Sequence, residues 1–96
     1  MKLRDELHRQ RDLIAAIAAR HGASNIRLFG SVARGEERPG SDIDLLVDLA
    51  EESGFGDDLA LVEELEQPYG RRVDRVVERS LSPFFRPVVE AEARPL

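Results

Sequence analysis

No cysteine occurs among the 96 residues, which excludes disulfides and thiolate metal sites and gives no sign of an oxidising compartment. No apolar run approaches the roughly 20 residues needed to span a bilayer, and the N-terminal segment is too charged for the apolar region of a signal peptide. Membrane insertion is therefore excluded, and a cytoplasmic chain is expected. A basic excess is missing too. Fourteen Lys and Arg against nineteen Asp and Glu leave a net charge of −5, which disfavours non-specific attraction to nucleic acid. A free nucleotide is different, because metal ions and backbone amides supply local positive charge even on an acidic protein. Without internal repeats, low-complexity tracts or a composition break, residues 1–96 are expected to form one domain. A chain this short buries roughly 60–68% of its unfolded surface, so a homo- or hetero-oligomeric contact could add stability.

What is there begins with an amphipathic stripe. Leu3, Leu7, Gln10, Ile14 and Ile17 recur at spacings of 4, 3, 4 and 3, with Leu13 and Ala18 widening the face, and Gly22 stops the helix. Residues 26–29 then read as a strand, after which Gly30-Ser31 hands over to a short helix at Val32-Ala33-Arg34 before Gly35. An exposed turn carrying Pro39-Gly40 precedes a second strand over 42–49. Alternation sends Ile43, Leu45 and Val47 into a core and Asp42, Asp44, Leu46 and Asp48 to the other face. After a loop over 51–56, Asp57 or Asp58 is expected to cap a helix with Leu59, Leu61, Val62 and Leu65 inward, ended by Pro68-Tyr69-Gly70. A third strand follows over 72–77, beside the second, with Val73 and Val77 buried and Asp74 opposite. Residues 81–96 read as helical. Either Ser82 caps a helix with Pro83 at its first position, or a turn over 82–86 leads to a helix starting near Pro87, since a proline deep in a helix loses a hydrogen bond and clashes.

Two acidic residues at i and i+2 of one strand project from the same face, so Asp42 and Asp44 can share hard cations. Magnesium takes oxygen ligands and keeps substrate phosphate oxygens in its shell, and two such ions can clamp the attacking and leaving oxygens of an in-line displacement. Clustered carboxylates repel one another without a cation, an arrangement better explained by a ligand than by stability. Glycine at Gly30 lets the backbone approach a phosphate closely, and amides at a helix start, with the Ser31 hydroxyl, can donate to its oxygens.

The run Gly30-Ser31-Val32-Ala33-Arg34-Gly35, then Ser41-Asp42-Ile43-Asp44, then Asp74 within Arg72-Val73-Asp74-Arg75-Val76 resembles the signature of the DNA polymerase β-type nucleotidyltransferases, most closely their minimal members. That resemblance implies an α+β nucleotidyltransferase fold, a short mixed β-sheet with helices packed mainly on one face. It implies Asp42 and Asp44 as ligands of two Mg2+ ions, with Mn2+ an alternative, and Asp74 as ligand of the catalytic ion and proton acceptor. It further implies Gly30 and Ser31 on the phosphates of ATP, with Arg34 pairing either with phosphate or with a carboxylate of the site. The chain as a whole looks like the minimal nucleotidyltransferase antitoxins, whose partner is a HEPN-domain ribonuclease toxin encoded nearby. In that family, adenylate from ATP is transferred to a tyrosine of the toxin and silences it.

Each feature alone is ordinary. A Gly-Ser pair is usually a turn and an Asp-x-Asp pair usually a solvated strand edge; their combination with a third aspartate carries the assignment. Asp48 is expected in solvent at the strand end, Ser41 to shape the turn, His8 and His21 to be structural or neutral, and Tyr69 to be half-buried packing. Phe84 and Phe85 suit a core or an interface, and Leu81, Phe84, Val88 and Val89 can form a partner-docking patch. Two alternatives belong to other classes: a binding module that inhibits its partner by occlusion, and transfer to a small molecule, for which no acceptor domain is present.

Overall fold

The computed structural model describes residues 2–50 and 55–96, apart from the side chains of 55–58. Its core is set by residue alternation on one strand. In β2 (Ile43–Leu49), Ile43, Leu45 and Val47 are all buried. Against them pack Leu7 of α1 (Leu3–Arg9), Ile14, Ile17 and Ala18 of α2 (Arg11–Arg20), and Leu61 and Leu65 of α4 (Phe55–Glu66). β1 (Ala23–Phe29) runs antiparallel to β2, and β3 (Val73–Val77) runs parallel to it on the other side. The sheet order is β3-β2-β1-β4, a mixed α+β arrangement as expected. Val73 and Val77 bury their side chains while Asp74 stays exposed, as the alternation required.

Four local features differ from the sequence reading. The N-terminal helix is two helices, because Gln10 leaves helical geometry (φ −98°, ψ 16°); Gln10 and Leu13 are exposed rather than inward, and Gln10 instead meets the Tyr69 hydroxyl. β1 starts three residues earlier than expected. A bulge between Ser24 and Arg27 sets Asn25 at φ 52°, a left-handed conformation that breaks the period-2 pattern there. β2 begins at Ile43, so Asp42 stands just ahead of it. α4 begins at Phe55, so neither Asp57 nor Asp58 precedes it as a cap; the expected loop over 51–56 lies partly outside the described residues.

At the C-terminal end the second alternative holds. Ser82 accepts from the amides of Phe85 and Arg86 in a turn, and α5 (Arg86–Glu92) carries Pro87 in its opening turn, where a missing N–H costs nothing. The chain then leaves the helix as β4 (Arg94–Pro95), pairing antiparallel with Arg27 and Leu28 of β1. This short strand was not expected. It survives with a proline because it lies at the sheet edge. The His8 ring and the Leu96 carbonyl, 2.9 Å apart, tie α1 to this end, and His21 contacts Glu64 at 2.9 Å, so both histidines serve the fold.

Candidate active site

Three elements meet at the start of β2. The parallel register sets Asp44 beside Asp74, and the antiparallel register sets Asp44 beside Phe29, the last residue before α3 (Gly30–Arg34). Asp44 thus lies between the third acidic residue and the Gly-Ser turn. The link between the two loops at this rim comes from Arg71, whose guanidinium donates to the carbonyls of Arg38 (3.1 Å) and Ser41 (3.0 Å), while the amide of Ile43 donates to the Arg72 carbonyl (2.8 Å). Ser41 shapes its turn as expected, its Oγ accepting from the Arg38 amide at 2.8 Å.

Gly30 has φ 76°, and a Cβ built on it would stand 2.2 Å from Asp44 Oδ2. A side chain there would have to displace that carboxylate. The glycine therefore serves two needs: a left-handed turn out of an extended Phe29, and the direct approach of the α3 start to a carboxylate. Val32 of α3 is buried in the core and anchors the short helix, and Gly35 closes it in a left-handed C-cap.

The electrostatics are those of crowded like charges. Partial burial lifts the Asp44 carboxyl from 3.8 to about 6, and the charges of Asp74, Asp42 and Glu92 add to the rise while Arg34 opposes it. Asp44 thus feels both other aspartates of the signature. Among the described residues, no three His, Asp or Glu side chains stand in a metal-holding group. The carboxylates share one region without converging to ligand geometry, as mutual repulsion favours. Their chemistry, all oxygen donors, is that of a hard divalent cation.

Arg34 does not pair with the aspartates. Its Nε donates to Glu36 at 3.1 Å and its Nη1 to Glu92, and these hydrogen bonds raise its pKa. Glu92 is the residue that sequence reasoning missed. It lies on α5, and no local pattern in Glu90-Ala91-Glu92 distinguishes it; only the packing of α5 beside α3 brings it here. Asp48 lies near the strand end with 46% of its side chain exposed, as expected, and also accepts from Arg27 (3.0 Å) and Asn25 (3.1 Å), because Arg27 sits one register step away on the same sheet face. Arg27 also donates to Glu78 at 2.9 Å. Leu46, directly opposite Arg27, is fully buried outside the main core, so the face that carries Asp44 is closed over beyond it. A cleft of about 520 Å³ lined by Glu63, Glu66, Gln67, Gly70, Arg71 and Arg72 includes none of the three aspartates.

The comparisons with known proteins agree with this geometry. Residues 10–96 match a family described as "Nucleotidyltransferase domain". A provisionally named protein adenylyltransferase of Methanocaldococcus jannaschii is 36% identical over 80 residues, covering 83% of this chain and 86% of that protein. The solved structure of a provisionally assigned minimal nucleotidyltransferase is 46% identical, with a TM-score of 0.85 over 97% of this chain and 95% of the other. A toxin–antitoxin crystal structure with AMP-PNP is 26% identical, with a TM-score of 0.73 over 88% of this chain and 69% of that one.

Proposed function

The chain belongs to the nucleotidyltransferase domain family, and from that premise we propose that it transfers adenylate from ATP to a hydroxyl of a partner protein. The partner we propose is a HEPN-domain toxin, modified on a tyrosine and thereby neutralised in the cytoplasm. The observation that carries this reading is the meeting of Asp44, Asp74 and the Gly30 turn at one rim of the sheet.

Asp42, Asp44 and Asp74 would hold two Mg2+ ions, which supply Lewis-acid stabilisation of the transferring phosphoryl group when bound. Gly30 leaves room for phosphate oxygens against the backbone, and Ser31, partly exposed at the start of α3, can donate its hydroxyl to them. Asp74, exposed on the neighbouring strand, is the carboxylate an incoming hydroxyl would meet, and it accepts that proton. Arg34 would pair with the triphosphate through a charge-assisted hydrogen bond. Residues 1–96 act in this reading as one nucleotide-binding domain, with the acceptor brought by another molecule.

Two further observations favour a protein acceptor. Phe84, Phe85 and Val88 are 83%, 60% and 62% exposed, an apolar patch at the start of α5, the helix whose last residue is Glu92. The relative with 36% identity carries a protein adenylyltransferase name, and the structure with 26% identity is a toxin–antitoxin assembly with an ATP analogue. Of the four residues weighed as a docking patch, Phe84 and Val88 are exposed, whereas Leu81 and Val89 are partly buried.

Intact-mass spectrometry of the protein encoded beside this one, after incubation with this chain, ATP and Mg2+, tests the proposal. A gain of one or more adenylate masses, lost with Asp44→Asn, supports it; an unmodified but tightly bound partner favours occlusion instead.

A further inference from the structure

We propose that Glu92 is a positioning residue for nucleotide binding: with Glu36 it pins the Arg34 guanidinium so that the remaining edge of the fork faces the phosphate site. The inference rests on the reading of Arg34 as a phosphate ligand and deepens it by naming what aims that ligand.

The geometry is specific. Arg34 offers five N–H donors in a rigid plane. Glu36, on the same turn, takes Nε at 3.1 Å, and Glu92, 58 residues along the chain, takes Nη1. Among the described residues no acceptor takes Nη2, which leaves that end of the fork for a ligand. A guanidinium on a long flexible stem is usually spread over several rotamers, and binding a phosphate then costs the entropy of choosing one. Two carboxylates from different elements remove most of that choice in advance. Arg34 is already close enough to Asp44 for its charge to act there, and so is Glu92.

Glu92 can do this because α5 is itself fixed. Arg86, its first residue, donates to the carbonyls of Glu78 (3.0 Å) and Leu81 (3.3 Å), and Glu78 is held by Arg27 of β1. At the other end, Glu92 is followed, after Ala93, by β4, which is paired to β1. The C-terminal segment is thus tied to the sheet on both sides of the residue that holds Arg34. The charge balance points the same way, since a fourth carboxylate beside three aspartates would only add repulsion unless its charge were matched, as Arg34 matches it.

A double-mutant cycle on equilibrium binding of AMP-PNP with Mg2+, measured by calorimetry, tests the inference. Arg34→Ala is expected to weaken binding about tenfold, as loss of a charge-assisted hydrogen bond does. Glu92→Gln is expected to weaken it about three- to tenfold with an unchanged thermal midpoint, and the double variant should be no weaker than Arg34→Ala alone. Glu92→Asp, which keeps the charge but loses reach, should behave like Glu92→Gln and serves if that variant proves unstable. Additive losses, or full affinity in Glu92→Gln and Glu92→Asp while Arg34→Ala binds weakly, would overturn the positioning role. Undiminished binding by Arg34→Ala would overturn the phosphate-ligand reading itself, a separately recognisable result.

Discussion

At the start of β2 the two faces obey opposite rules. On one, Ile43, Leu45 and Val47 pack against three helices and supply the stability of the fold. On the other, Asp44 lies within reach of the charges of Asp42, Asp74 and Glu92, with Arg34 opposing them. A strand selected for stability alone would not gather these carboxylates. Because residues i and i+1 of a strand face opposite sides, the protein can hold a rigid site directly behind its core, so that errors in the site do not disturb the packing.

Several substitutions sharpen this contrast, beginning with the largest effect. Asp44→Asn should lower adenylate transfer by about 100-fold or more, the scale expected when a carboxylate that holds the metal and its nucleotide is lost, while the fold persists. Transfer rates and far-UV circular dichroism on the same samples check both halves. On the other face, Leu61→Ala, at a fully buried position, should cost about 2–5 kcal/mol in denaturant unfolding yet leave nucleotide affinity unchanged where the protein is folded. Gly30→Ala falls between the faces. A side chain at φ 76° costs about 1–3 kcal/mol, and the clash with Asp44 should weaken AMP-PNP binding as well, so this variant loses both properties.

The smallest effect concerns pH. Asp44 has a folded pKa of about 6 against 3.8, so the fold favours its protonated form. Stability from this group is fully present below about pH 4 and is lost as pH rises through about 6. Because the carboxyl is partly exposed, solvent screening reduces the loss to about 1 kcal/mol. In metal-free buffer Asp44→Asn should therefore melt a few degrees above the parent at pH 7.5 and level with it near pH 4. A constant difference across that range would mean that the crowding of charge on this face has been misjudged.

Much of the site was legible in the sequence because its parts are local. Asp42 and Asp44 are two residues apart, Gly30-Ser31 ends a strand, and Asp74 lies in a strand whose buried valines fix its facing; periodicity gives their placement, and only the family resemblance gives the roles proposed for them. The residues that escaped depend on contacts distant in sequence. Glu92 reaches Arg34 only because β4 returns the chain to β1, and a two-residue strand containing a proline leaves no periodic trace. Arg27 was hidden in a strand read from its apolar neighbours, although it bridges Asp48 and Glu78. The break at Gln10 escaped for a local reason, since an unbroken 4-3-4-3 spacing does not register the geometric departure of one exposed residue.

The central claim is that the acidic face of β2, with Asp74 and the Gly30 turn, binds a nucleotide together with divalent metal. Calorimetric titration of AMP-PNP into the parent chain and Asp44→Asn, each with Mg2+ and with chelator, tests it most directly. Binding by the parent is expected to require Mg2+ and to be lost in the variant; equal affinity in chelator, or in Asp44→Asn, would mean that this face is not the nucleotide site.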